Sequence, residues 1–222
     1  FLRAAGIAKL DALVVSHADT DHSGGGLSIL HGVPVVGLVS SLPADHPIVR
    51  AALDKAKRCV AGMRWTWDGV AFEFVHPASA AYSEATRKTN DLSCVLRVTS
   101  SGGSALLTGD VEAPSEGEML ARDANLQAEV LIVPHHGSRT SSTPAFIAAV
   151  APRYALIAAG YRNRFRHPRP EIVARYVDAG AARLRTDLQG AITLTLVDTA
   201  PIEPIAERER NRRYWYDDAR PP

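Results

Sequence analysis

The chain has 222 residues and lacks several things that would place it quickly. It has only two cysteines, Cys59 and Cys94, too few for a disulfide-dense scaffold and too far apart for a CxxC metal or redox pair. They are either two half-buried thiols or one bridge; a bridge would close a loop of about 35 residues, contribute about 3–4 kcal/mol and imply an oxidising compartment. Charge of one sign is also missing: 25 Lys and Arg stand against 24 Asp and Glu. That balance excludes an acidic disordered chain and removes any global electrostatic case for nucleic acid. No apolar run reaches the about 18–20 residues of a spanning helix, and FLRAAGIAKLD carries no signal-peptide core. With 46% hydrophobic residues, what remains reads as one soluble globular domain with a tail.

Short apolar runs alternate with helical stretches. Residues 10–16, 33–39, 129–133 and 154–158 read as buried strands, and 70–75 as a half-exposed one. Residues 92–99 and 104–108 read as a hairpin around Ser101-Gly102-Gly103, and Trp65 and Trp67 precede a turn at Asp68-Gly69. Helices are expected near 24–30, over 46–58, 112–122 and 143–150, and from Pro168 and Pro170 to Asp178, ended by Gly180. Residues 183–186 and 191–197 suggest a last hairpin around Gln189-Gly190. The expected fold class is α/β, with residues 1–200 as one layered domain and 201–222 as a charged, proline-containing tail or docking arm.

The strongest chemical signal is His17-Ala18-Asp19-Thr20-Asp21-His22, directly after the first apolar run. Four ligand-type side chains in six positions can converge on a cation only if the backbone loops tightly, and the glycines at 24–26 supply that freedom. Imidazole with carboxylate suits zinc, manganese or iron rather than the all-oxygen shells of magnesium and calcium. Three more apolar runs deliver similar residues at their ends: Asp110 after Thr108-Gly109, His135-His136-Gly137-Ser138 after Pro134, and His167 before the proline-opened helix. In α/β folds, ligands gather beyond the carboxyl ends of strands. His76 ends a strand in His-Pro and reads as structural, and His31 and His46 read as ordinary surface histidines.

With these motifs the chain resembles the metallo-β-lactamase fold and its two-metal hydrolases. Asp19 stands where the commoner H-x-H-x-D-H pattern has its second histidine, which favours a harder ion such as manganese alongside zinc. Within that superfamily, Thr89-Asn90-Asp91-Leu92-Ser93-Cys94, Thr108-Gly109-Asp110, Pro134-His135-His136-Gly137-Ser138 and Asn163 with His167-Pro168 are similar to the C-terminal domain of the ComEC competence proteins. The resemblance runs from about residue 10 to about 197. It implies an αββα sandwich whose usual N-terminal hairpin is missing from this fragment, leaving an open edge on the first sheet.

The resemblance also implies roles. Asp21 and His22 hold one metal, His17 and Asp19 the other, and Asp110 bridges them. His167 completes the second site. His135 is the preferred further ligand, with His136 facing the substrate as proton donor; the reverse order is the alternative. Asp21 orients the attacking water. Asn90, Asp91, Ser93 and Ser138 are substrate-binding candidates, as are Arg162, Arg164 and Arg166, whose guanidinium groups suit a phosphodiester backbone. Tyr161 and Phe165 interleave and could stack bases. The expected cofactors are two divalent ions, Mn or Zn. The expected partners are incoming transforming DNA, the rest of the chain's own membrane channel protein and other competence proteins. The expected function is a nuclease degrading the non-imported strand, from an inner-membrane parent with this domain facing the periplasm. A phosphodiesterase for small-molecule or cell-wall esters and a non-catalytic DNA-guiding module are the alternatives.

Overall fold

A computed structural model describes residues 1–213; the remainder of the tail, 214–222, lies outside the described residues. Strands β1 (Leu10–Val15), β2 (Val35–Ser40) and β3 (Ala56–Arg58) form a small parallel sheet in the order β1-β2-β3. A four-residue turn of helix, α1 (Thr20–Ser23), follows β1. Helices α2 (Gly26–Gly32) and α3 (Pro47–Ala52) cover the outer face, burying Val15, Leu38, Leu42 and Ile48. Gly26 permits their close approach, since a Cβ there would lie 2.6 Å from Ile48 Cδ1.

The second sheet has seven strands: β4 (Arg64–Trp67), β5 (Val70–His76), β6 (Val95–Ser100), β7 (Gly103–Leu107), β8 (Val130–Ile132), β9 (Tyr154–Ile157) and β10 (Ala182–Arg185). Strands β4 to β7 form an antiparallel meander, and β7 to β10 run parallel. The β4–β5 turn is Asp68-Gly69, both at positive φ, as a tight hairpin requires. Helices α4 (Ala113–Ala121), α5 (Pro144–Val150) and α6 (Pro170–Asp178) pack on the outer face around Leu106, Leu131, Ile157, Met119, Phe146 and Tyr176. Between the sheets, Val14 and Val39 meet Phe72, Phe74, Leu96 and Val98 beside a Cys59–Cys94 disulfide. The bridged alternative is therefore the one the chain adopts. The layers are αββα.

Four expectations need correcting. The helix over 46–58 ends at Ala52: Leu53 takes a φ of 53°, and residues 56–58 leave to pair with β2. His46, read as an ordinary surface histidine, caps α3, its side chain accepting the Ile48 N–H at 3.3 Å. Residues 90–92 form a 3-10 turn, so that strand starts only at Val95. The last hairpin does not form. Instead β10 joins β9 in parallel, and Gln189-Gly190 ends a helical turn, α7 (Thr186–Gln189). Strand β11 (Ile192–Thr193) pairs with β12 (Ile205–Ala206), which leads into α8 (Glu207–Arg210). The segment between them covers the part of the inner face that the first sheet leaves bare, packing Leu194, Leu196 and Ile202 on Val130, Tyr154 and Leu184. Tyr154 Oη donates to the Ile202 carbonyl at 2.7 Å. Strand β1 is an edge of its sheet, as expected.

This topology places the C-terminal ends of β1, β7, β8 and β9 along one rim. The antiparallel β6 begins at that same rim, where the Cys94 N–H donates to the Ser16 carbonyl at 2.9 Å.

Candidate metal centre

Each ligand-type residue is aimed by local backbone. Asp19 caps α1, its carbonyl accepting from the His22 and Ser23 N–H groups, and this single turn swings Asp21 and His22 inward. Gly109 sits at a φ of 55°, and a Cβ there would come 3.0 Å from the Cβ atoms of both Ser16 and Ser93. Only glycine lets the end of β7 press so close to β1. Asp110 follows, its N–H donating to Ser93 Oγ at 3.1 Å. His135 and His136 both adopt left-handed backbone, with φ of 50° and 55°. Two adjacent non-glycine residues in that region cost about 1–3 kcal/mol each, a strain characteristic of functional sites.

Asp110 is the hub. Its Oδ1 lies 3.1 Å from His22 Nε2, and its Oδ2 lies 3.6 Å from His136 Nε2, 3.8 Å from His17 Nε2 and 3.9 Å from His135 Nε2. Asp21 Oδ2 is 3.2 Å from His136 Nε2 and 3.7 Å from His22 Nε2. Among the described residues one set closes completely: Asp21, His22, Asp110 and His136 place their ligand atoms all within 4.8 Å of one another. The sequence reading prefers His135 as the further ligand, with the reverse order as the alternative; it is His136 that enters this set. Asp19 stands on the other side, 3.9 Å from His17 Nε2 and held by the Thr89 hydroxyl at 2.9 Å. His167 lies beyond, its ring centroid 6.0 Å from that of His135.

His17, His22, His135 and His136 share one design, with a polar partner at Nδ1 and Nε2 facing Asp110, whereas His167 Nδ1 is buried without a partner. Ser16 Oγ lies 3.1 Å from His17 Nδ1 and 3.4 Å from His22 Nδ1. His136 Nδ1 donates to the Ala158 carbonyl at 2.8 Å, which leaves Nε2 as the bare nitrogen. The electrostatics follow from these contacts. Burial opposes charge on His22, but the hydrogen bond and charge of Asp110 prevail and raise its pKa. Burial likewise opposes charge on Asp110, yet the same bond and the surrounding imidazoles hold its carboxyl below the usual range. Burial, then the neighbouring His22, lowers His17. Burial also lowers His167, helped by His135 and Arg169.

The other sequence candidates fall in two groups. Ser93 supports Asp110 from behind, as above. Asp91 is buried and accepts the Ser115 hydroxyl at 2.9 Å, tying its turn to α4; Asn90 opens that turn, half-buried. Ser138 is buried 3.1 Å from Thr140 Oγ1. Arg162, Arg164 and Arg166 are exposed on the loop before His167, with Arg164 over the Phe165 ring and Arg162 over Tyr161. Asn163 holds that loop shut: its Oδ1 accepts the His167 N–H at 2.9 Å and its Nδ2 donates to the His167 carbonyl at 2.7 Å. A cleft of about 420 Å³ opens here, bounded by Asp21 and His136 on one side and Asn163, Phe165 and His167 on the other. His76, read as structural, is fully buried with Nδ1 3.0 Å from the Ser93 carbonyl. Ser16, Glu112 and Thr140 carry no motif that marks them as site residues; their significance lies in what they touch.

No protein-family model matches the chain. Individual relatives do. It is 39% identical over 196 residues to competence protein ComA of Neisseria gonorrhoeae, covering 88% of this chain and 26% of that protein. It is 34% identical over 210 residues to ComE operon protein 3 of Bacillus subtilis, covering 86% and 25%. The chain belongs to the ComEC family of competence proteins. This ComEC domain spans about a quarter of the length of the curated relatives it matches. Among solved structures, it matches Igni18, a metallo hydrolase of Ignicoccus hospitalis, with a TM-score of 0.52 at 16% identity, over 89% of this chain and 79% of that one. The E377D mutant of the CmlA β-hydroxylase matches with a TM-score of 0.55 at 13% identity, over 90% and 45%. At such identities the likeness concerns the fold alone, and the fold is that of the metallo-β-lactamases.

Proposed function

We propose that this domain is a metal-dependent phosphodiesterase acting on DNA, which degrades the non-imported strand at a DNA-uptake channel. The observation that carries the reading is Asp110: one buried carboxylate faced by four imidazole Nε2 atoms at 3.1–3.9 Å, beside a cleft flanked by an arginine–aromatic loop. The residues fit divalent cations. Asp21, His22, Asp110 and His136 offer two nitrogens and two carboxylates, and His17 Nε2 is buried without a hydrogen-bond partner. Such a donor set suits Mn or Zn. His17, Asp19 and the second oxygen of Asp110 would hold a second ion, with His135 and His167 on its open side.

Bound cations supply a sharpened water nucleophile and charge neutralisation for displacement at phosphorus. The chain's own residues do the rest. Asp21, the most exposed member of the closed set, orients the attacking water from the cleft side. His136, its Nδ1–H committed to Ala158, serves as a ligand. His167 stands at the cleft wall beside His135, its lowered pKa favouring the neutral imidazole that can bind a cation or accept a hydrogen bond. Arg162, Arg164 and Arg166 neutralise the phosphodiester backbone, and Tyr161 and Phe165, both largely exposed, present faces for bases. Asn90 and Ser138 remain substrate-contact candidates, next to Thr89 and Thr140, which touch Asp19 and His135, while Asp91 acts through Ser115 and Ser93 through the Asp110 N–H. Among the described residues no helix is long and apolar enough to cross a membrane. In this reading the membrane segments belong to the rest of an inner-membrane parent. The disulfide supports placing this domain on the periplasmic side.

The test is to incubate the purified chain with end-labelled linear duplex and Mn²⁺, beside Asp21→Ala and Asp110→Ala controls. Metal-dependent cleavage that both substitutions abolish is expected. Intact DNA with hydrolysis of bis-p-nitrophenyl phosphate would shift the substrate to a small phosphodiester. Tight DNA binding with no cleavage under any metal would leave only a guiding module.

A further inference from the structure

Behind His135 lies a feature the other site histidines lack. The Nδ1 atoms of His17 and His22 face a hydroxyl, and that of His136 faces a carbonyl. His135 Nδ1 faces a carboxylate: Glu112 Oε1 lies 3.4 Å away, and Thr140 Oγ1 lies 3.2 Å from the same nitrogen. Thr140 in turn donates to Glu112 Oε1 at 3.1 Å. A hydroxyl that gives its proton to the carboxylate can only accept from the imidazole, so both contacts require the proton on Nδ1. Lys88 Nζ donates to the other oxygen of Glu112 at 3.2 Å, closing a chain Lys88–Glu112–Thr140–His135.

An ordinary helix-start role for Glu112 does not explain this. Glu112 stands at the N-cap of α4, where shorter Ser, Thr, Asp or Asn side chains cap, and its carboxylate makes no capping bond. It is instead 7% exposed and turned across to the Pro134–Gly137 loop, where His135 is held in a strained left-handed backbone. The 138–140 turn is already fastened by the Ala113 N–H to Thr140 carbonyl bond at 2.8 Å, so the carboxylate is not needed to hold it.

We propose that Glu112 is a positioning residue that, with Thr140, fixes His135 as its Nδ1–H tautomer and so presents a bare Nε2 to the second-ion side of Asp110. A carboxylate behind an imidazole fixes ring orientation and raises the donor strength of the far nitrogen. This rests on the two-ion reading above, and it makes that side dependent on a residue that never touches the ion.

The experiment has two readouts on the full chain. In metal-free protein carrying ¹⁵N-labelled histidine, with His135 assigned from a His135→Gln spectrum, wild type should show protonated Nδ1 and bare Nε2. Glu112→Gln should shift His135 toward the other tautomer and leave the His136 signals in place. In Mn²⁺ titrations, Glu112→Gln should weaken the second equivalent 10–100-fold and leave the first unchanged. Thr140→Val should show the same pattern with a smaller loss. A wild-type His135 bare at Nδ1, an unchanged tautomer in Glu112→Gln, or equal weakening of both equivalents would overturn the proposal. A wild type that binds only one ion would sink the two-ion reading, while the tautomer still decides the role of Glu112.

Discussion

On one side of Asp110, His22, Asp21 and His136 bring their ligand atoms within 4.8 Å of one another, and neutral oxygens hold the imidazoles from behind. On the other side, His17 and His135 reach toward the same carboxylate from 3.8 and 3.9 Å, Asp19 lies 3.9 Å from His17, and a charged chain through Glu112 stands behind His135. The closed side is built from neighbours in sequence plus one residue of the β8 loop, so its geometry is largely set before any ion arrives. The open side draws on the same two loops, after β1 and after β8, but its donors stay apart. The contrast is that of a donor set that closes with one that does not.

The sharpest way to break this contrast is Asp110→Ala, which removes the carboxylate both sides share; titration should find no stoichiometric Mn²⁺ binding and hydrolysis should fall to background. A paired substitution separates the sides. His136→Gln should abolish the tighter binding equivalent, whereas His135→Gln should spare it and weaken only the looser one, read by calorimetry. Equal effects of the two would mean the sides are not distinct. Substituting Arg162, Arg164 and Arg166 together by Ala should leave both equivalents intact and flatten the dependence of log binding constant on log salt by about 2–3 for DNA.

The smallest effect on the site comes from His76, buried beneath Ser93. Burial pushes its pKa down to about 4, against an ordinary value of 6.5. A lowered value means the folded state resists protonation, so stability is full above about pH 6.5 and declines as pH falls toward 4, by up to about 3 kcal/mol. His22 works in the opposite sense: its raised value stabilises the metal-free fold at low pH and that contribution is lost as pH rises through it. His76→Asn, which keeps a donor for the Ser93 carbonyl, should flatten the acid limb in denaturation curves and leave first-ion affinity untouched.

The sequence showed where ligands cluster because four strand ends carry them, and parallel strands turn their carboxyl ends the same way. That His17, Asp19, Asp21, His22, Asp110 and the His135-His136 pair gather at one rim was legible for that reason. The distinction between His135 and His136 was not, because these adjacent residues diverge through a left-handed backbone that no local pattern announces. Residues 56–58 looked helical because their strand character comes from pairing with β2 rather than from local propensity. Glu112 passed as a helix start, which its position is and its side chain is not.

The most direct test of the account is anomalous scattering from crystals of the chain grown with Mn²⁺. It predicts a peak within coordination distance of Asp21, His22, Asp110 and His136, and a second, weaker peak on the His17 side of Asp110. No peak among those four residues, with manganese bound elsewhere or not at all, would contradict it.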